Sequence, residues 1–358
     1  MGPDALDVVT APVGESPGGL HPVFVRRLTC SIWPWVPRPS STSPYRPGRN
    51  QNWLRYQPPG NAASAGDAAN ALRTSASPAE ASRSQRAAVT RYVPEAGGSG
   101  YAGATIRDLL DMRTGVAFRE TYTALDAEVR VMERSMGWRP ALPGDPAGAY
   151  PFLAALGSAG PHGGEFSYRS ADSDMLGWAC ERVSGVRMAD LISALVWQPI
   201  GAERDAEITC DPLGSAIPDG GISATARDLA RFGQMLVDDG MAQGRTVVPD
   251  AWLADARHPE PGVREAFAAT DNEYVLPGGW YRSQFWVIPG SGGPVLVCLG
   301  IHGQLIYADR AARTVVVKLS SWPDAQNTAY LLDTLRSCAA AAAHLSAGRG
   351  GETAPWTG

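Results

Sequence analysis

Gly220-Gly221-Ile222-Ser223-Ala224-Thr225-Ala226-Arg227-Asp228-Leu229-Ala230-Arg231-Phe232 is the stretch whose reading decides the fold. Two glycines and a short apolar step lead into Thr225, where a helix opens with Asp228 three residues later. Leu229, Phe232 and Leu236 then fall at helical spacing and supply a buried face. The same grammar appears upstream in Thr105-Ile106-Arg107-Asp108-Leu109-Leu110-Asp111-Met112. There Thr105 is the expected N-cap, Asp108 completes a capping box, and Ile106, Leu109, Leu110 and Met112 face the core. Gly115 is expected to end that helix. A further helix is expected from Ser173 to Val183, with Met175, Leu176, Ala179, Cys180 and Val183 at helical spacing and Gly185 as its stop.

Toward the C-terminus the period shortens. Val295-Leu296-Val297-Cys298-Leu299 reads as a strand, as do Gln304 to Asp309 and Thr314 to Leu319, the last two joined by the polar turn Asp309-Arg310-Ala311-Ala312-Arg313. Asp324 to Ser346 is an Ala-rich helix with Tyr330, Leu331, Leu335 and Leu345 available to cover a sheet. Helices in the middle, antiparallel strands and a terminal helix give an α/β class: an antiparallel sheet flanked by helices, with a helical subdomain. No internal repeat is present.

Residues 1–88 differ in character. Pro, Ser, Arg, Gly and Ala dominate, and from Gln57 to Ala88 the only large aliphatic residue is Leu72. Burial cannot offset ordering entropy in such a segment, so it is expected to lack a folded core, with a domain at 89–346 and a disordered tail at 347–358. The change at Val89 is abrupt enough to fit an N-terminal third that was replaced or translated out of frame.

The bulk numbers exclude several classes. A net charge of −5 without a basic helix face gives no reason to expect a nucleic-acid partner. No apolar run of about 18 residues and no signal-peptide pattern occur, so no membrane partner is expected and a cytoplasmic location follows by default. The five scattered cysteines (Cys30, Cys180, Cys210, Cys298 and Cys338) form no metal-binding pattern and read as buried free thiols. Neither a metal nor another cofactor is expected.

Four segments taken in order carry a resemblance. Thr105 to Gly115 is similar to the T-I-x-x-L-L-x-M-x-[ST]-G helix of class C β-lactamases and related esterases. Gly220 to Phe232 resembles their G-G-[ILV]-x-[ST]-T-A-x-D-[LM]-A-[RK]-F segment, and Phe166-Ser167-Tyr168-Arg169-Ser170-Ala171-Asp172 sits where they carry a Tyr-x-Asn or Tyr-x-Ser loop. Gly300-Ile301-His302-Gly303-Gln304 and Val317-Lys318-Leu319-Ser320-Ser321-Trp322-Pro323 match their closing strands. Together these most resemble the 6-aminohexanoate-dimer (nylon-oligomer) hydrolase branch of the β-lactamase-like serine hydrolases. The match runs from Val89 through the C-terminal helix, and the N-terminal third does not share it. A β-lactamase/transpeptidase-like fold is implied, acting on a small-molecule amide or ester through an acyl-enzyme.

The resemblance implies roles residue by residue. Tyr168 takes the place of the tyrosine that relays protons to the leaving group; a tyrosine at a helix start can also be partly buried for packing alone. Tyr122 stands where a tyrosine contacts the substrate amide, and Glu133 where an acidic residue meets the substrate's amino end, or else is a solvated helix charge. His302 and Gly303 lie on the strand lining the site, although His302 also reads as a core-facing histidine. Trp138 and Trp286 are candidate wall residues. A backbone amide between Cys298 and Gly300 could help hold an oxyanion.

The nucleophile does not fit. The family needs Ser-x-x-Lys on an apolar helix, so that hydroxyl and amine share one face within hydrogen-bond reach. The chain has a single lysine, Lys318, preceded three residues earlier by Val315. Family spacing points to Ser64, whose i+3 neighbour is Asp67, and no Gly-x-Ser-x-Gly elbow occurs. Losing one member of such a pair costs on the order of 10⁴ to 10⁶ in rate. The expectation is therefore an inactive chain; the alternatives are a pseudoenzyme that binds amides or peptides without turnover, or an enzyme with an unusual nucleophile.

Overall fold

A computed structural model describes residues 7–9 and 84–350. Its main sheet has six strands: β1 (Asp7–Val9), β2 (Trp280–Arg282), β3 (Phe285–Gly290), β4 (Gly293–Leu299), β5 (Leu305–Asp309) and β6 (Thr314–Lys318). They lie in the order β1-β6-β5-β4-β3-β2, each pair antiparallel. The last five thus form a continuous meander. β1 joins the sheet from within the segment expected to lack a folded core, while Cys30, Ser64 and Asp67 lie outside the described residues.

The principal helices in chain order are α1 (Ile106–Leu110), α2 (Glu128–Ser135), α3 (Ala149–Ala155), α4 (Ser170–Ser184), α5 (Met188–Ile192), α6 (Ala226–Val237), α7 (Asp250–Arg257), α8 (Pro261–Ala268), α9 (Asn272–Val275) and α10 (Thr328–Gly350). β5 and β6 are buried at every position, which requires cover on both faces of the sheet. α6 packs against β5 and β6, and α10 against β6. Gly233 of α6 makes that approach possible, since a Cβ there would lie 2.4 Å from Val315 Cγ1.

Both capped helices begin where the sequence places them. The Thr105 hydroxyl accepts from the Asp108 N–H, and the Thr105 N–H donates to Asp108 Oδ2 at 2.8 Å, a complete capping box. At α6 the Thr225 hydroxyl accepts from the Asp228 N–H at 3.1 Å. Asp228 then turns to a tertiary partner, accepting the Glu203 N–H at 2.8 Å.

Several boundaries differ from the expectation. α1 ends at Leu110, because Asp111 leaves the helical region and Met112 adopts φ 54°. Gly115 is therefore not the stop; it is needed because a Cβ there would lie 2.0 Å from the Gly160 carbonyl oxygen. α4 does end at a left-handed Gly185, but Val183 is 40% exposed instead of facing the core. α10 starts at Thr328, four residues late, and Tyr330 is 48% exposed, resting on Trp322 instead of on the sheet. Of the four cysteines among the described residues, all free, Cys180, Cys298 and Cys338 are buried and Cys210 is half-buried. No helix among the described residues is long and apolar enough to cross a membrane.

The hairpin β2–β3 is not legible in the sequence, and it sets one wall of the cleft. Its turn residues Ser283 and Gln284 have φ of 55° and 68°, the pattern of a two-residue turn that usually recruits Asn-Gly. Tertiary bonds replace that local preference. The Asp111 carboxylate accepts the Ser283 N–H at 3.0 Å, and the Gln284 amide donates to the Leu109 carbonyl at 3.0 Å. Ser173 of α4 donates to Gln284 Oε1 at 2.8 Å.

Candidate active site

A cleft of about 660 Å³ opens where α2, α4, the β4–β5 connection and the start of α10 meet. Tyr122, Glu133, Tyr168 and Gly303 all line it, as do the expected wall residues Trp138 and Trp286. The geometry thus brings together four of the five site residues nominated from the sequence. His302 is the fifth, and it is not among the lining residues. Its backbone adopts φ 57°, its N–H donates to the Ala325 carbonyl, and its Nδ1 lies 2.8 Å from the Trp322 carbonyl oxygen. The imidazole therefore braces the loop before α10. Gly303 follows at φ 86°, and a Cβ there would lie 2.3 Å from the Trp322 ring. The glycine lets that ring close one side of the cleft.

Tyr168 is held by bonds from both neighbours to backbone carbonyls. The Ser167 N–H donates to the Met112 carbonyl at 2.9 Å, and Arg169 Nε donates to the Val116 carbonyl at 3.1 Å. Its ring stacks on Trp286 at 5.7 Å and meets Tyr281 edge-on at 6.1 Å. Burial, and then the charge of Glu120, push the Tyr168 phenol well above its ordinary pKa. A phenol so placed keeps its proton at neutral pH and can act as a hydrogen-bond donor. Of the amides nominated for an oxyanion, the Gly300 N–H is already committed to the Gln304 carbonyl at 2.9 Å.

Sequence reasoning passed over the acids beneath these aromatics. Glu120 Oε1 accepts from the Tyr122 hydroxyl at 2.6 Å and the Ser170 hydroxyl at 2.8 Å, while Oε2 accepts the Ser170 N–H at 3.0 Å. This one carboxyl caps α4 and aims Tyr122. Burial raises its pKa above the usual carboxylate range, against the bonds from Tyr122 and Ser170. Asp219, immediately before the Gly220-Gly221 motif, also lines the cleft, and its N–H donates to Asp174 Oδ1 at 3.0 Å. Burial pushes Asp219 up to about 7, helped by the Glu120 charge, and Asp174 is raised well above its ordinary value by burial and by Asp219. The signal was present: Glu120 stands two residues before Tyr122, Ser170 sits inside a segment already singled out, and Asp219 abuts another.

Glu133 is buried, as a ligand-facing residue could be, but it is not bare. Arg130 Nη1 donates to its two oxygens at 2.9 and 2.7 Å, and Arg139 Nε bonds to it as well. Two guanidiniums on one carboxylate make this corner net cationic. The single lysine stands elsewhere. Lys318 Nζ lies 3.4 Å from the Gly303 carbonyl oxygen and 4.6 Å over the Trp322 ring. Among the described residues no group of three or more His, Cys, Asp or Glu side chains is arranged to hold a metal ion.

The Beta-lactamase family matches residues 84–340. Over 236 residues the chain is 42% identical to the 6-aminohexanoate-dimer hydrolase of Paenarthrobacter ureafaciens, a span of 66% of this chain and 59% of that protein. The chain therefore covers less than two thirds of that relative's length. Among solved structures, a protein of Bacillus anthracis described as a 6-aminohexanoate-dimer hydrolase superposes with a TM-score of 0.67 at 25% identity, over 79% of this chain and 71% of that one. A family VIII carboxylesterase superposes with a TM-score of 0.51 at 15% identity, over 78% and 80% of the two chains, which speaks for the fold alone. The expected β-lactamase/transpeptidase-like α/β fold is the one observed, and by the extent of the family match the chain belongs to the Beta-lactamase family.

Proposed function

We propose that this chain takes a small amide or ester into the Tyr122/Tyr168 cleft and does not turn it over through a serine–lysine pair. The observation that carries this reading is the place of the one lysine. Lys318 lies at the end of β6, donating to the Gly303 carbonyl, and three residues before it stands the buried Val315 of the same strand. The lysine thus stands on a strand and not one helical turn after a serine, the arrangement in which a hydroxyl passes it a proton. Tyr168 without an ammonium beside it is a hydrogen-bond donor, suited to holding a carbonyl oxygen and unsuited to deprotonating a nucleophile. Tyr122, fixed by Glu120, gives the cleft a second phenol. The similarity to 6-aminohexanoate-dimer hydrolases supports a linear amide as ligand.

Calorimetric titration with N-methylhexanamide, run beside a p-nitrophenyl ester assay, tests this. Saturable binding weakened about tenfold or more by Tyr168→Phe is expected, with ester turnover at the level of buffer. The loss of a nucleophile–base unit leaves a deficit of roughly 10⁴ to 10⁶. Covalent labelling by a fluorophosphonate, or turnover approaching that of a Ser-x-x-Lys relative, would overturn it.

A further inference from the structure

His162 stands outside the cleft, in the loop between α3 and α4, and bonds through both ring nitrogens to the backbone of other segments. The Gly115 N–H donates to its Nδ1 at 3.0 Å, and its Nε2 lies 3.0 Å from the Ala102 carbonyl oxygen. A backbone N–H only donates and a carbonyl only accepts, so the two contacts together fix the ring's proton. Nδ1 is bare and Nε2 carries the hydrogen, which is the neutral imidazole in a single tautomer. A second proton would set a ring N–H against the Gly115 N–H and leave that amide without its acceptor.

Gly115 belongs to the segment that carries Tyr168. Its carbonyl accepts the Ala159 and Gly160 N–H groups at 2.7 and 3.1 Å, tying it to the loop of His162. Three residues before it the Met112 carbonyl receives the Ser167 N–H, and one residue after it the Val116 carbonyl receives Arg169 Nε. Tyr168 hangs between those two bonds. We propose that His162 is a positioning residue: its neutral ring pins Gly115 and thereby sets Tyr168 at the cleft wall, and protonation releases the pin. The inference rests on the reading of Tyr168 as the donor that holds a ligand's carbonyl, and it adds a proton-controlled regulation of that donor. The segments joined at His162 carry Tyr101, Arg113 and Glu165, and Asp108 of α1 approaches Gly163. Arg113 is held by the Gly163 and Gly164 carbonyls and Asp108 by Thr105, so neither takes a ring nitrogen. Asp172 reaches the same segment through Thr114, at 2.9 Å.

NMR of protein carrying isotope-labelled glycine, histidine and tyrosine, followed from pH 8 to pH 5, tests the pin across the range in which imidazoles take up charge. The His162 ring should show the Nε2-protonated tautomer at pH 8. As it charges, the Gly115 amide and the Tyr168 ring signals should move with the same midpoint. N-methylhexanamide affinity, measured by calorimetry over the same series, should fall about threefold to tenfold through this step, the worth of roughly one hydrogen bond. His162→Gln offers an acceptor and a donor but no titrating proton, so it should bind nearly as well as wild type at pH 8 and lose that step. His162→Phe, with neither bond, should bind at pH 8 about as weakly as acidified wild type; a thermal melt verifies the fold of both. Asp172 and Asp219 titrate in wild type and His162→Gln alike, so the difference between those two profiles belongs to His162. An Nδ1-protonated ring, Gly115 or Tyr168 signals that ignore its charging, or identical profiles in wild type and folded His162→Gln overturns the proposal. Absence of N-methylhexanamide binding at every pH sinks only the amide reading, since the wild-type Gly115 and Tyr168 signals judge the pin without a ligand or a variant.

Discussion

Two acidic corners of one cleft are treated in opposite ways. Glu133 on α2 is clasped by Arg130 and Arg139, so its charge is more than cancelled by its own neighbours. Asp219 and Asp174, across the cleft, have no cation among the described residues and face Glu120 instead. A carboxylate already paired offers little to an incoming ammonium, whereas an unpaired buried one gains a great deal. The residue that the resemblance nominates for the amino end of a ligand is thus the one least free to receive it. Position in a family pattern says which side chain faces the cleft; the neighbours decide what it can bind.

The largest effect that separates the corners is the pH dependence of stability. Burial lifts Asp219 to about 7, above its unfolded value near 4. The sign follows: a carboxyl raised on folding gives its full contribution below the unfolded pKa and loses it as pH climbs through the folded one. At about 1.4 kcal/mol per unit the ceiling is roughly 4 kcal/mol between pH 4 and 7. Urea unfolding should therefore show wild-type protein losing stability from pH 5 to 8. Asp172, lifted to about 7 by burial against the charge of Arg169 and the hydrogen bonds from Thr114 and Tyr101, contributes with the same sign. Asp174 and Glu120, also raised by burial, add to the same trend, so Asp219→Asn should flatten the profile only in part. An unchanged slope in that variant would show that the pair is hydrated or already compensated.

The opposite corner should answer to the loss of a cation. Removing one partner of a buried ion pair costs about 3–5 kcal/mol, but Arg139 would remain on Glu133 after Arg130→Met. Arg130 also lies 5.5 Å over the Tyr122 ring, so its loss reaches the cleft. A destabilisation of about 1–3 kcal/mol is expected in chemical denaturation. The affinity for an alkylammonium ligand should rise in the same variant, since Glu133 would then carry a freer charge. No gain in that affinity would mean that Glu133 takes no part in ligand charge recognition.

What could be read in advance was local. Thr105 with Asp108, and Thr225 with Asp228, announce their helices because the cap is made within one turn of chain. The strands from Val295 to Lys318 announce themselves by apolar runs and a polar turn. Features settled by distant contacts could not be read. Gly115 is glycine for the sake of Gly160, and the Ser283-Gln284 turn is held by Asp111, Leu109 and Ser173, more than 100 residues away in each case but the first. The cleft followed the same rule. Tyr122 and Tyr168 were legible through their motifs, while the burial of Asp219 without a paired cation depends on distant parts of the fold.

Arg139 gives the smallest and most discriminating effect. Its side chain is 49% exposed, against 16% for Arg130, and it stands outside α2 in the loop that follows Trp138. Exposed pairs of this kind are worth about 0.2–1 kcal/mol and fade with salt. Arg139→Ala should therefore leave the melt almost untouched. Its charge, however, is the whole of the excess that makes the Glu133 corner cationic. Taking it away leaves one guanidinium on one carboxylate, a neutral corner. A ligand with a carboxylate at that end, such as hexanoate-terminated amide, should bind about two- to fivefold more weakly, the cost expected for losing one partly screened charge. An ammonium-terminated analogue should gain by a similar factor. If both ligands shift in the same direction, the corner acts through shape, and the electrostatic contrast between the two acidic regions fails at its weaker end.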